Sequence, residues 1–544
     1  MGCGKRDFVG WALLVSVALL KFANQCSGID KSSFPDGFKF GFSSSAYQME
    51  GAAHEDGRGL SIWDTFCATP GKIKNGDTGD VAVDMYHHYK EDIQILKNMG
   101  TDIFRLSISW SRVFPGGSTR NGKVNPKGVE FYNNFIDELI KNGIEPMVTL
   151  FHWDTPQVLE DEYGGFRSDR ILEDYTEFAD FCFKEFGDRV RKWVTINEPS
   201  IFATHGYLNG QNAPGRCTPP QCPAGDSSRE PYIVSHNLLR AHMRAVKLYR
   251  SKYQKEQKGT IGISVHSDWY TSYSTQEIDV AATRRVLDNT LGLYLDPIFF
   301  GDYPLSVKEI VRERLPVFTD EESRDIKGSF DFIGMNHYVT LYVLDNSTNI
   351  VLPPEGDPKD GPLPDDPNLP DTFAIQTSTA LIPSQACFKD GVPIGPSEGG
   401  VTYWRSYPQG IMHLLNYIKE KYSNPPVYIT EIGFVTLDKG QTAEELIRDE
   451  ERVKYIKETL QYTLQAMREG SDLRGYMIWS YIDNFEWAGG YSNRLGLLYA
   501  NYTSSNLERI PKSSAIWFAN AMNKRPKKSF RPFGGSPYRS IASA

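Results

Sequence analysis

The sequence predicts an α/β fold, a single (β/α)8 TIM barrel enlarged by long βα loop insertions. Three observations predict it: eight short runs rich in β-branched and aromatic residues, helical periodicity between them, and no repeat or low-complexity linker dividing the chain. A doubly wound parallel sheet is the alternative that the same alternation allows.

Taken in order, the first strand-like run is FKFGFS near Phe38, with Gln48 following it. IFRLSIS near Ile103 is the second, and EPMVTLF near Glu145, ending at His152, is the third. VRKWVTI near Val190 leads into Asn197 and Glu198, and TIGISVH near Thr260 is the fifth run. FDFIGMN near Phe330 leads to Asn336 and Tyr338, PVYIT near Pro426 to Glu431, and LRGYMIW near Leu473 to Trp479. Between runs, Phe131, Phe135, Ile136, Leu139 and Ile140 share a helical face that stops at Asn142-Gly143. Ile411, Met412, Leu415 and Ile418 repeat the pattern before Pro425-Pro426. The Pro-, Asp- and Gly-rich stretch from Asn346 to Gly400 reads as a linker or as a functional loop overhanging the barrel mouth.

The chain of 544 residues is 40% hydrophobic and carries a formal charge of -9, so no broad basic surface for nucleic acid is evident. Residues 1–28 have signal-peptide grammar: Lys5 and Arg6, an apolar run from Phe8 to Leu20, then Cys26, Ser27 and Gly28. That run falls short of the roughly 18–20 residues a membrane span needs, so no stable membrane anchor is expected. Residues 29–522 form the expected barrel domain. Residues 523–544 form a basic tail with Lys524, Arg525, Lys527, Lys528 and Arg531, read as a solvated end or as a retention, nuclear-type or membrane-surface signal. Cys217 and Cys222 close a short Pro-rich loop and suit a disulfide better than zinc, because no second Cys or His pair lies at ligand spacing. Sequons at Asn346 and Asn501 fit the same secretory route, toward the apoplast or the vacuole.

On a barrel the polar strand ends converge on one catalytic face. Two carboxylates across such a pocket can cleave an acetal, one protonating the departing oxygen and the other meeting the oxocarbenium-like carbon. Gln48, His152, Asn197 and Asn336 supply neutral hydrogen bonds for a sugar, and Trp479 and Trp487 supply apolar faces. No phosphate-cradling loop, HExxH zinc site or nucleophilic-serine elbow is present, and neither cofactor nor metal is implied.

The segments FKFGFSSSAYQMEG, FRLSISWSRVFP, FHWDTP, TINEPS, YITEIGF and WSYIDNFEWAGGYSNRLGL resemble the signature blocks of glycoside hydrolase family 1, the plant β-glucosidase family, from about Phe34 to Phe518. The resemblance implies a retaining exo-β-glucosidase that hydrolyses O-linked β-D-glucosides, either a plant secondary-metabolite glucoside or a short oligosaccharide, through a covalent glycosyl-enzyme, with Glu198 as acid/base and Glu431 as nucleophile. It further implies that Arg105 and Tyr338 orient the nucleophile. Gln48, His152, Asn197, Asn336, Tyr338, Glu486 and Trp487 would bind the sugar, with Trp479 beneath its ring. Glu486 argues against 6-phosphosugars, and an acid at Glu198 argues against thioglucosides, whose family members carry Gln there. The mechanism asks for a raised pKa on Glu198 and a low one on Glu431. The chain departs from the family at Ile432, usually Asn, and at His337, Leu495 and Ala500, while Tyr403 stands near the family's aglycone-stacking Trp. A transglucosidase using the same glutamates and a catalytically weak sugar-binding protein are the rival readings. Homo-oligomerisation is not indicated.

Overall fold

A computed structural model describes residues 28–345 and 387–523. The predicted signal segment through residue 27, the sequon at Asn346, most of the Asn346 to Gly400 loop, the side chain of Tyr403 and the tail from Lys524 lie outside the described residues.

All eight predicted runs are strands: β1 (Lys39–Ser43), β2 (Ile103–Ser107), β3 (Glu145–Phe151), β4 (Lys192–Asn197), β5 (Thr260–His266), β6 (Phe332–His337), β7 (Val427–Ile432) and β8 (Leu473–Ile478). They form a closed barrel in the order β1-β8-β7-β6-β5-β4-β3-β2. Spatial order follows chain order, and β1 closes on β8 in parallel with Phe40 opposite Tyr476, so the doubly wound alternative is ruled out. The strands read as apolar runs because helices cover their outer faces while side chains fill the inside.

The helix Pro126–Lys141 shows how the coat forms. Asn125 caps it by accepting from the Lys127 N–H, Pro126 sits where no amide donor is needed, and Gly143 follows with φ of +76°. Phe131, Phe135, Ile136 and Leu139 are buried as expected, joined by Tyr132. Ile140 is not: it is 42% exposed, because one residue past Leu139 the helix has turned about 100° off the buried face.

Inside the barrel, Ile103, Met147, Val194, Phe332 and Met477 come from five strands and pack together as an apolar plug. Following the two-residue alternation toward the C-terminal ends, the inward positions become Arg105, Thr149, Asn336 and Trp479. On β4 and β7 the register shifts, between Val194 and Asn197 and between Ile429 and Glu431. Such irregularities re-aim side chains. They turn Asn197 into the pocket and place both Thr430 and Glu431 there, while Ile432 is 1% exposed and packs in the main hydrophobic core. Short strand pairs brace the loops beyond the strand ends, among them Trp269–Ser272 with Thr340–Val343 and Leu498–Ala500 with Arg509–Pro511.

Candidate active site

Glu198 and Glu431 stand at the C-terminal ends of β4 and β7, buried to 5% and 4% exposure. The Glu198 backbone is left-handed, φ 42° and ψ 62°, and Pro199 starts the helix Pro199–Tyr207 directly after it. That conformation costs an L-residue roughly 1–2 kcal/mol, and it is strain of the kind that concentrates at functional sites.

One hydrogen-bond network joins the two carboxyls. Arg105 Nη1 donates to Glu431 Oε1 at 2.6 Å and Tyr338 O–H donates to Glu431 Oε2 at 2.7 Å. Arg105 Nη2 donates to Asn197 Oδ1 at 2.5 Å, which also accepts from Asn336 Nδ2 at 3.1 Å. Asn336 Nδ2 reaches on to Glu198 Oε1 at 2.7 Å, and the Thr430 hydroxyl donates to Asn336 Oδ1 at 2.6 Å, fixing which end of the amide faces Glu198. The two carboxyls therefore differ. Both oxygens of Glu431 accept donors, whereas Glu198 Oε2 accepts none from the described residues.

Burial and the charge of Glu198 raise the Glu431 pKa to about 7, with Arg105 and Tyr338 opposing them. The low pKa expected for this residue does not hold, because burial outweighs the cation beside it. The guanidinium and phenol still favour the anionic form of Glu431.

Gln48 lies on the short helix Ala46–Met49 after β1, anchored through the buried Glu50–Arg112 ion pair at 2.9 Å. Its Nε2 donates to the Phe485 carbonyl at 3.0 Å and approaches Glu486 Oε2 at 3.5 Å. Trp479 Nε1 donates to the same Glu486 oxygen at 3.3 Å. Burial raises Glu486 to about 8, offset in part by Trp479 and reinforced by Glu431 and Glu198. That favours its protonated form at neutral pH. His152 accepts at Nε2 from Asn197 Nδ2 at 3.1 Å, which makes Nδ1 a buried N–H without a partner among the described residues. Burial, then Arg105, hold this imidazole neutral. Its ring lies 5.9 Å from Trp479 and 6.0 Å from Trp487, centroid to centroid.

The structure thus brings Gln48, Arg105, His152, Asn197, Glu198, Asn336, Tyr338, Glu431, Trp479, Glu486 and Trp487 to one mouth. Cys217 and Cys222 are bonded, S–S 2.11 Å, in the loop leading to the helix Glu230–Lys252. Asn501 is half-buried in a surface turn, its Nδ2 donating to Glu508 at 2.9 Å. Sequence reading passed over His266, the last residue of β5, whose Nδ1 lies 3.4 Å from Glu198 Oε1. The rule that marked other strand ends would have found it. Among the described residues no group of three or more His, Cys, Asp or Glu is placed to hold a metal ion, and no helix is long and apolar enough to cross a membrane.

A closed (β/α)8 barrel whose mouth joins two buried carboxyls, neutral hydrogen-bonding groups and indole faces defines a glycosidase-type site. Residues 30–527 match the model of glycosyl hydrolase family 1. A furostanol glycoside 26-O-β-glucosidase from Hellenia speciosa is 48% identical over 90% of this chain and 83% of its own length. Beta-glucosidase 24 from Oryza sativa subsp. japonica is 46% identical over 91% and 94%. The crystal structure of a rice β-glucosidase, 44% identical, superposes with a TM-score of 0.85 over 91% of this chain and all of that one. A Glu-to-Gln variant of that rice enzyme, 43% identical to this chain, has been captured in a covalent complex with Glc, with a TM-score of 0.85 over the same shares. The chain belongs to glycosyl hydrolase family 1 and is a β-glucosidase of that family.

Proposed function

We propose that the enzyme is a retaining exo-β-glucosidase that hydrolyses O-linked β-D-glucosides of plant secondary metabolites through a glycosyl-enzyme intermediate. One observation carries the assignment of roles: Glu431 receives a donor on each oxygen, while Glu198 is held through Oε1 alone and keeps Oε2 open. A nucleophile must be an oriented anion, and an acid/base must have a free oxygen to carry the proton.

In the first step Glu198 donates its proton to the glycosidic oxygen as a Glu431 oxygen bonds to the anomeric carbon and the aglycone leaves. In the second, Glu198, now ionised, deprotonates a water that attacks the same carbon and releases Glu431, so the glucose keeps the β configuration. Gln48, His152, Asn197, Asn336, Tyr338 and Glu486 hold the sugar hydroxyls, and Trp479 and Trp487 cover its apolar faces. The relative that acts on a furostanol glycoside and the covalent glucose complex of the rice enzyme support the substrate class and the intermediate. A secretory destination, apoplast or vacuole, belongs to the same proposal; the Cys217–Cys222 disulfide supports it, because such bonds persist in oxidising compartments.

The test is Glu198→Gln assayed with two aryl β-glucosides. The expected result is near-complete loss on a poor leaving group, partial retention on a dinitrophenyl glucoside, and azide rescue yielding the β-glucosyl azide. Full activity on the poor leaving group would overturn the roles.

A further inference from the structure

We propose that His266 is a positioning residue for Glu198: an imidazolium held between Asp268 and Glu198 that fixes the carboxyl through Oε1 and favours its anionic state, the form that acts in the second step. The inference rests on Glu198 being the acid/base.

His266 closes β5, and its two ring nitrogens face two carboxylates, Nδ1 at 3.4 Å from Glu198 Oε1 and Nε2 at 3.4 Å from Asp268 Oδ1. Both contacts are at ion-pair distance without hydrogen-bond alignment, and Nδ1 is a buried nitrogen with no hydrogen-bond partner among the described residues. Two carboxylates facing opposite edges of one buried ring favour the imidazolium, the form with a positive charge and an N–H on each edge. Burial works against that charge, and Asp268 and Glu198 outweigh it, raising His266 to about 10.

Other groups reach the cluster from the neighbouring elements. His205, on the helix after Glu198, is held at about 4 by burial and by the charge of His266, and is neutral. His337, at the end of β6, is lowered by burial and also feels His266. Tyr338 stacks on the His266 ring with centroids 6.2 Å apart. Glu431 and Glu486 couple to Glu198 from across the mouth. His266 is thus the cation facing Glu198 Oε1, while Arg105 serves Glu431.

The sign follows directly. A cation beside Glu198 favours the anion, so it assists the base and limits how high in pH the acid survives. An opposite charge within about 4–6 Å favours the anionic form of a carboxyl, in general by about 1–3 units, and here Asp268 shares the imidazolium. His266→Gln is therefore expected to move the alkaline limb of kcat/KM upward by about one pH unit, making the variant about tenfold more active relative to its own plateau well above that limb. A limb that stays in place or moves down in the folded variant overturns the proposal. Neutron diffraction of the native enzyme at about pH 7 reads the state without any substitution: deuterons on both ring nitrogens support it, and one deuteron overturns it. Glu198→Gln run alongside separates the two levels. Wild-type activity in that variant removes the acid/base reading itself, whereas an inactive Glu198→Gln with an unmoved His266→Gln limb removes only the inference about His266.

Discussion

Replacing Tyr338 by Phe deletes one hydrogen bond to the expected nucleophile and little else. The phenol donates to Glu431 Oε2 at 2.7 Å, and its ring packs 5.6 Å from Trp404, a contact that Phe preserves. A hydrogen bond to a charged group contributes about 1.5–3 kcal/mol, and one pKa unit corresponds to about 1.4 kcal/mol. The deletion should therefore raise Glu431 by about 1–2 units above its present value. In the proposed role Glu431 reacts in its ionised form, so a higher pKa means that activity is lost at a higher pH as the solution is acidified. Arg105 still holds the other oxygen at 2.6 Å, so the carboxyl remains ionisable. The acid limb of kcat/KM, which reports the free enzyme, should move up by about 1–2 pH units, lowering activity below that limb about 10- to 100-fold. Initial rates on 4-nitrophenyl β-glucoside at low substrate, from about pH 4 to about pH 9, measure this. A limb that does not move, or moves down, in a folded Tyr338→Phe protein would refute the reasoning.

Ile432→Asn should lower stability by about 3 kcal/mol, since it buries an amide without partners and loses an apolar side chain, while the folded fraction keeps its kcat/KM; lost activity with unchanged thermal stability would contradict the packing of this side chain in the apolar core. Glu486 has a raised folded pKa, so its contribution to stability falls as pH rises from the ordinary carboxylate range through about 8. Glu486→Gln should flatten that decline in a denaturant series and weaken glucose binding, and an equally steep decline would count against it. Replacing Cys217 and Cys222 together by Ala reopens a small loop and should cost about 2 kcal/mol, read as a lower unfolding midpoint under non-reducing conditions, with no change in either direction arguing that the loop is held by its other contacts.

The strands were legible because each is a short apolar run bounded by turns, and full burial on a barrel makes no finer demand on the pattern. The cast of the site was legible for a related reason, since polar residues at the ends of such runs have one shared place to go. What the pattern could not carry was register. The irregularities at Val194–Asn197 and Ile429–Glu431 decide which side chains face inward, and they arise from pairing between strands far apart in sequence. They also bear on Ile432, which adjoins Glu431 along the chain and is buried in the main hydrophobic core. The pKa of Glu431 was misjudged because burial is a tertiary property, whereas Arg105 could be named from a motif. His266 required both: a polar strand end and the knowledge that β4 and β5 are neighbours, with Asn197 opposite Ser264.

The most direct test of the central claim is covalent trapping with a 2-deoxy-2-fluoro-β-glucoside bearing an activated leaving group, followed by peptide mapping in a mass spectrometer. The fluorine slows both steps, and the good leaving group restores the first, so a glycosyl-enzyme accumulates. The expected result is time-dependent inactivation with a single fluoroglucosyl group on Glu431. A label on any other residue, or steady turnover with α-glucose as the first product and no adduct, would contradict the account.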